Sequence, residues 1–376
     1  MRMRALEPVA TTEMQDHSPF DYAQTQQALA DVCEQLDDAQ FVAVDTEFVR
    51  ESTYFPKLCL IQLATDKLTA CIDCLADLDL TPLLAQLLDR DVTWIVHSGR
   101  QDIEVVWHAA GTKPAQVYDT QIAAGLLGEA PQVGLRELLR STLGVEIGKA
   151  FTRTNWAKRP LDAGAIDYAI DDVRHLLPLW RELAERLESR GRLAWFLEDC
   201  ARALEAPLEP DLMTLYQRTK GTGRLDRLGI KAALSLLSWR EDRAKRVDRP
   251  RRWVLADETL VAIAAQRPRS LAELHNVDGL TERVVAKSGD ALLTAVMSSS
   301  DLRFDEEPPA FSANLDPKRL KSLQARVRDC ASRLGIEPEV LAAKRDIAAC
   351  MMGSPPTHLV SGWRAEHLHL PVADMG

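Results

Sequence analysis

Phe41-Val42-Ala43-Val44-Asp45-Thr46-Glu47-Phe48 is the stretch on which the reading of the fold turns. An aromatic and a run of small apolar residues, two of them β-branched, predict a buried strand, and the carboxylates fall where that strand leaves the core. Asp45 and Glu47 are two residues apart, so strand alternation puts both on one side, close enough to share a hard cation. The octapeptide also fits a strand running into an acidic turn. Carboxylates elsewhere in the chain must decide between the two.

Working outward, residues 21–36 carry apolar side chains at helical spacing (Ala28, Leu29, Val32, Leu36) and predict a covering helix before the strand. Residues 58–64 and 68–74 predict two further strands, joined as a hairpin by Thr65-Asp66-Lys67. Alternation follows. A helix over 81–88 opens on Thr81-Pro82, a strand spans 92–96, and a helix over 101–110 stops at Gly111. Val117-Tyr118 is a short strand, and helices cover 119–127 and 135–143. Three strands and then α/β alternation predict a mixed sheet with helices on its faces. A long helix beginning near Asp162 places Ile166, Ala169, Ile170, Val173, Leu176 and Leu177 at core spacing and projects Tyr168 and Asp172, four apart, from one face. Before it lies a basic segment, 149–160. There Arg153, Lys158 and Arg159 with Phe151 and Trp156 suit either phosphate contact and base stacking or a solvated loop anchored by one aromatic.

The chain has 376 residues, 46% hydrophobic and 27% charged, which predicts a soluble protein of two or three domains. It has no apolar run of membrane-spanning length, and residues 1–24 lack a signal-peptide hydrophobic region, so a cytoplasmic location is expected. Of seven cysteines, the close pair Cys71 and Cys74 has no second pair or nearby histidines to complete a zinc site, and buried thiols are expected. The net charge of −10 is uneven. Residues 1–205 hold 20 Lys+Arg against 33 Asp+Glu, or −13, leaving 26 against 23, or +3, for the rest.

Pro207 and Pro210 mark a linker, after which 211–298 predict short amphipathic helices over 212–218, 226–245, 257–265, 270–275 and 281–297. Residues 239–252 carry seven basic side chains against three acids. Arg243, Arg246, Arg249, Arg251 and Arg252 with Trp253 suit a phosphate-contacting patch, or a helix with solvated charge. A second polar linker, 298–317, precedes further helices.

Taken together, Asp45-x-Glu47, Asp102 within His97-Ser-Gly-Arg-Gln-Asp102 and Tyr168-x-x-x-Asp172 resemble the motifs of the DEDD exonucleases, in the subgroup whose third motif contains tyrosine. The likeness extends through Leu60-Ile-Gln-Leu, Tyr118-Asp-Thr-Gln, Trp156 ahead of Arg159-Pro160-Leu161, and 168–178, so that residues 21–205 resemble the ribonuclease D family. The resemblance implies an α/β plus all-α fold. Its parts are a ribonuclease H-like mixed-sheet exonuclease domain over 1–205, a helical nucleic-acid-binding domain of the helicase and ribonuclease D C-terminal type over 206–298, and a degenerate second copy over 316–376. That copy rests on Leu341-Ala-Ala-Lys-Arg345 and Ser361-Gly-Trp-Arg364.

The resemblance further implies that Asp45, Glu47, Asp102 and Asp172 are metal carboxylates for two Mg²⁺ (or Mn²⁺) and that Tyr168 orients the attacking water. The activity it implies is 3′-5′ trimming of RNA, with transfer RNA precursors as partners and release of 5′-monophosphates. A monomer without organic cofactor or membrane attachment is expected. The competing readings are a DNA exonuclease with the same carboxylates and a silent nucleic-acid-binding adaptor, whose mark would be a missing carboxylate. Among the neighbours, Asp171 reads as solvated or paired, Asp119 as a helix cap and His97 as a hydrogen-bonded core histidine. Gln62 and Glu51 are candidates for ribose or phosphate contact.

Overall fold

The computed structural model describes residues 20–148, 154–299 and 316–369. Its first elements are β1 (Asp21–Ala23), α1 (Gln26–Leu36), β2 (Phe41–Val49), β3 (Lys57–Ala64), β4 (Thr69–Asp73), α2 (Thr81–Leu87), β5 (Thr93–Val96), α3 (Arg100–Ala110), β6 (Gln116–Asp119), α4 (Thr120–Leu126), α5 (Leu135–Leu143), α6 (Ala163–Arg174), α7 (Leu176–Ser189) and α8 (Leu193–Glu205). The helices that follow are α9 (Leu212–Arg218), α10 (Arg227–Val247), α11 (Arg251–Val254), α12 (Asp257–Gln266), α13 (Leu271–His275) and α14 (Glu282–Ser298). The last five are α15 (Pro317–Leu334), α16 (Pro338–Leu341), α17 (Lys344–Met351), α18 (Thr357–Val360) and α19 (Gly362–Leu368).

The six strands form one sheet in the order β1-β4-β3-β2-β5-β6. Hairpin connections make β2-β3 and β3-β4 antiparallel, whereas the crossovers through helices make β2-β5 and β5-β6 parallel. β2 is therefore central, flanked by β3 and β5. This is the mixed sheet that the 41–48 strand and its successors predict.

Two expectations are corrected. The stretch 21–36 is not one helix: Asp21–Ala23 is an edge strand paired in parallel with β4, and α1 starts only after Thr25, whose side chain accepts from the Ala28 amide. The long helix from Asp162 breaks at His175, so Val173 and Leu176 belong to different helices.

Contacts divide the chain into two units, one of Met1–Val49, Lys57–Ala206 and Pro317–Gly376, the other of Arg50–Pro56 and Pro207–Asp316. In the first, one apolar core joins Ala43, Ile95 and Tyr118 of the sheet, Leu126, Leu139, Trp180 and Phe196 of the helices after it, and Cys330, Leu341 and Trp363 of the last five, and another lies between the sheet and α6 around Leu60, Trp156 and Ala169. The segment that the sequence sets apart over 316–376 thus packs within the strand-bearing unit. The second unit has a core of its own, with Leu234, Leu237, Leu260, Ile263, Leu274 and Leu292 buried among α9–α14. Four of its helices begin at short polar residues, since Asp211, Asp226, Ser270 and Thr281 each accept a backbone amide at an N-cap. All seven cysteines are free thiols.

Candidate active site

β2 carries Asp45 opposite Gln62 and Glu47 opposite Leu60 of β3, and its register slips by a bulge just after Glu47. Alternation gives Ala43, Asp45 and Glu47 one face of the strand, and α6 lies across β2, β3 and β4. α6 starts at Asp162, whose carboxylate caps the Gly164 amide, and its 3.6-residue period brings Tyr168 and Asp172 onto one face. As a result Asp45, Glu47 and Asp172, each half-buried, offer three carboxylate oxygens that all lie within 4.8 Å of one another. The Tyr168 hydroxyl donates to Asp172. Trp156, buried, stacks behind the Tyr168 ring at 6.4 Å and 25°.

Asp102 reaches this region from the first turn of α3 but does not join the tight trio. Thr46 sits between the two β2 carboxylates and, by alternation, faces the opposite way. Its amide and its hydroxyl both donate to Asp102 Oδ1, at 3.0 and 2.6 Å. One carboxylate oxygen of Asp102 is thereby tied down. The helix carrying it begins on a tight turn at Ser98 and Gly99, whose amides both donate to the Asp119 carboxylate. A Cβ on Gly99 would meet Val96 Cγ2 at 2.5 Å, so this close approach requires glycine. Thr46 and the second task of Asp119 escape sequence reasoning. The only signal was positional, a hydroxyl residue between two carboxylates on a strand.

Electrostatics single out the same group. Burial, then repulsion from Asp102, Asp172 and Glu47, raises the Asp45 pKa well above the ordinary carboxylate range. Burial, then Asp172 and Asp102, brings Glu47 to about 8. Burial lifts Asp172 to about 7 against the bond from Tyr168, and Asp102 to about 6 against the bonds from Thr46. Four acids at one strand end, all resisting ionisation, form a cluster that a cation would neutralise. An all-oxygen donor set suits Mg²⁺ or Mn²⁺.

The neighbours resolve in turn. Asp119 caps α4 through the Gln121 amide, His97 bonds Thr120 Oγ1 and the Val133 carbonyl, and Asp171 pairs with Arg174. Arg159 is no phosphate ligand, because its guanidinium is committed to both oxygens of buried Asp73 and to the Trp156 and Cys59 carbonyls. With Trp156 packed behind Tyr168, stacking of a base there is also excluded. Lys149, Phe151 and Arg153 lie outside the described residues. Gln62 is fully buried, which removes it from direct contact with ribose or phosphate.

Comparison with known proteins bears on this geometry. A 3′-5′ exonuclease family profile matches residues 20–188, and an HRDC domain profile matches residues 231–296. The chain is 36% identical over 349 residues to ribonuclease D of Gluconacetobacter diazotrophicus, covering 90% of this chain and 88% of the relative. It is also 36% identical over 355 residues to ribonuclease D of Zymomonas mobilis, with 89% and 88% covered. Among solved structures it is similar to Escherichia coli RNase D, described as an exoribonuclease involved in structured RNA processing. That match has a TM-score of 0.83 and 30% identity, covering 95% of this chain and 98% of that one.

Proposed function

From the premise that this chain belongs to the ribonuclease D family and is a 3′-5′ exoribonuclease using a divalent metal, we propose that it trims transfer RNA precursors from their 3′ ends with Asp45, Glu47, Asp102, Tyr168 and Asp172. It removes one 5′-monophosphate at a time, as a cytoplasmic monomer. The observation that carries this reading is the convergence of Asp45, Glu47 and Asp172 within 4.8 Å, with Tyr168 bonded to Asp172. The description of the Escherichia coli relative as acting in structured RNA processing supports transfer RNA precursors as the substrate. Among the described residues no helix is long and apolar enough to cross a membrane.

Two divalent cations held by the four carboxylates would supply charge neutralisation at both the attacking and the leaving oxygen. The remaining work falls to the chain. Asp45 and Glu47 are fixed by the strand, and Asp102 is aimed by Thr46. Burial, then the Asp172 charge, pushes the Tyr168 pKa above its ordinary value, so the hydroxyl stays protonated at neutral pH and cannot act as a base. It holds the attacking water by hydrogen bonding instead. Trp156 limits its rotation. Tyr168→Phe is therefore expected to lower kcat by on the order of 10²-fold, the usual scale for one positioned proton-handling group. Steady-state rates on a labelled RNA check this, and an unchanged rate removes Tyr168 from the site.

The raised carboxyl pKa values also set a pH dependence. Each group binds its proton more tightly folded than unfolded, where carboxylates titrate near about 4. The stability this contributes is full below that value and is lost as pH rises through about 6 for Asp102, about 7 for Asp172 and about 8 for Glu47. Excess Mg²⁺ should accordingly raise the melting temperature at about pH 8 by the equivalent of about 2 to 3 kcal/mol when near 100-fold over its Kd. At about pH 5, where protons compete, it should do little. Equal shifts at both pH values would remove the carboxylates as the cation site.

The reading as a whole is tested by incubating a 3′-extended transfer RNA and a DNA strand of matched sequence with the enzyme, with and without Mg²⁺. Shortening of the RNA from its 3′ end, dependent on Mg²⁺ and on the terminal 2′-hydroxyl, is expected. Equal degradation of both strands would remove the preference for RNA, and faster degradation of the DNA would favour DNA as the substrate.

A further inference from the structure

Gln62 of β3, too deeply buried to meet ribose or phosphate, is left without a task by the active site. It is 0% exposed, and among the described residues neither its Oε1 nor its Nε2 has a hydrogen-bond partner. Buried amides are nearly always hydrogen-bonded, and one without a partner costs stability that an apolar side chain of the same shape does not. Its place in the sheet narrows what it can bond. Residues directly paired on neighbouring strands point to the same face. Gln62 pairs with Asp45 of β2 on one side and with Cys71 of β4 on the other, so the three form one row on the face that α6 covers. Along β3 its neighbours on that face are Leu60 and Ala64, both buried and apolar. Of these four neighbours only Asp45 carries a carboxylate.

We propose that Gln62 is a positioning residue for the cation site: with a divalent cation bound, its Nε2 donates to the Asp45 carboxylate and holds it in its ligating orientation, while Oε1 accepts from the Cys71 thiol. The assignment rests on the reading of the four carboxylates as the cation site. Chemistry sets the direction of the amide, because an ionised carboxylate only accepts and a thiol is a weak donor. Burial pushes the Cys71 pKa up to about 12, which keeps that thiol protonated.

The arrangement parallels the one at Asp102. There a hydroxyl and an amide of Thr46 aim the carboxylate. Asp45 gives one oxygen to the trio with Glu47 and Asp172, and β2 fixes its backbone but not its side-chain torsions. A hydrogen bond donated to a ligating carboxylate fixes that orientation, and its loss lowers metal affinity by roughly 10- to 100-fold.

Two measurements on the full chain, neither of them turnover, test this. After treatment with chelator, Gln62→Met, which keeps the side chain's length and removes both polar atoms, should melt roughly 3 °C above the parent, because no buried amide is left without a partner. Titrated with Mn²⁺ and followed by electron paramagnetic resonance of the free ion, the same variant should bind about tenfold more weakly. Gln62→Leu should repeat both shifts. A side chain that only fills space would leave the Mn²⁺ affinity unmoved, so the opposite signs of the two shifts separate positioning from packing. On RNA, the Mg²⁺ concentration for half-maximal rate should rise by about the same factor, and the rate at saturating Mg²⁺ should fall less. A Mn²⁺ affinity within about twofold of the parent's in both variants would overturn the proposal. So would melting below the parent in both, since the amide would then be partnered without the cation. A parent chain that binds no Mn²⁺ would instead overturn the carboxylate reading and this proposal with it, so the two failures are distinguishable.

Discussion

Asp45→Asn should lower RNA hydrolysis by on the order of 10³-fold or more while leaving the protein as stable as its parent, or more so. Asp45 is the carboxylate most opposed by its surroundings, with burial and the charges of Asp102, Asp172 and Glu47 all resisting its ionisation. An amide of the same shape removes that repulsion, so folding loses nothing and the metal-free protein gains stability at alkaline pH. Chemistry loses an anionic ligand from a cluster in which three oxygens converge within 4.8 Å. Asp172→Asn should behave alike, since its amide oxygen can still accept from Tyr168. Activity and thermal melting measured on the same preparations separate the two effects. A parent enzyme fully active in excess chelator, or an Asp45→Asn variant that retains its rate, would sink the two-cation reading.

How much of this was legible in the sequence depends on the range of the interaction behind each feature. Asp45 with Glu47, and Tyr168 with Asp172, could be paired in sequence because each pair obeys a local period, two residues on β2 and four on α6, whereas Asp102 was named only through the family resemblance. The helices of the second unit could be found for the same reason, from amphipathic spacing, and the structure adds the caps at Asp211, Asp226, Ser270 and Thr281. What escaped depends on distant partners. β1 exists because Asp21, Tyr22 and Ala23 pair with Ala70, Cys71 and Ile72, and nothing in a three-residue segment announces that. Thr46 acquires its role only when Asp102, 56 residues on, arrives opposite it. Arg159 and Arg251 look like phosphate ligands until Asp73 and Glu241 are placed beside them.

The same distinction governs the last helices, which read as a separate domain in sequence and pack as part of the first unit. Arg364→Ala should therefore destabilise that unit by about 3 to 5 kcal/mol, the cost of leaving one member of a buried ion pair without its partner. Arg364 and Asp199 are 4% and 3% exposed. The guanidinium engages both oxygens of Asp199 and donates to the Leu341 and Val340 carbonyls at 3.1 and 2.8 Å. Trp363, under the guanidinium at 4.2 Å, stacks on Trp195 at 4.5 Å and 7°. Removal of the cation strands the Asp199 carboxylate in an apolar core with the more exposed Arg202 at 3.1 Å and the Trp363 indole N–H at 3.4 Å to offset it. A fall of roughly 10 °C in the melting temperature is expected. Near-ultraviolet circular dichroism follows it through the stacked tryptophans. Replacing both partners, with Arg364→Met and Asp199→Leu, should recover most of the loss, because no buried charge then remains unpaired. By the same argument, a chain cut at Ala206 would expose the faces that Leu341 and Trp363 cover and should lose activity by unfolding rather than by weaker RNA binding. A single Arg364→Ala variant that melts within about 1 °C of its parent would mean that α15–α19 contribute little to the exonuclease unit.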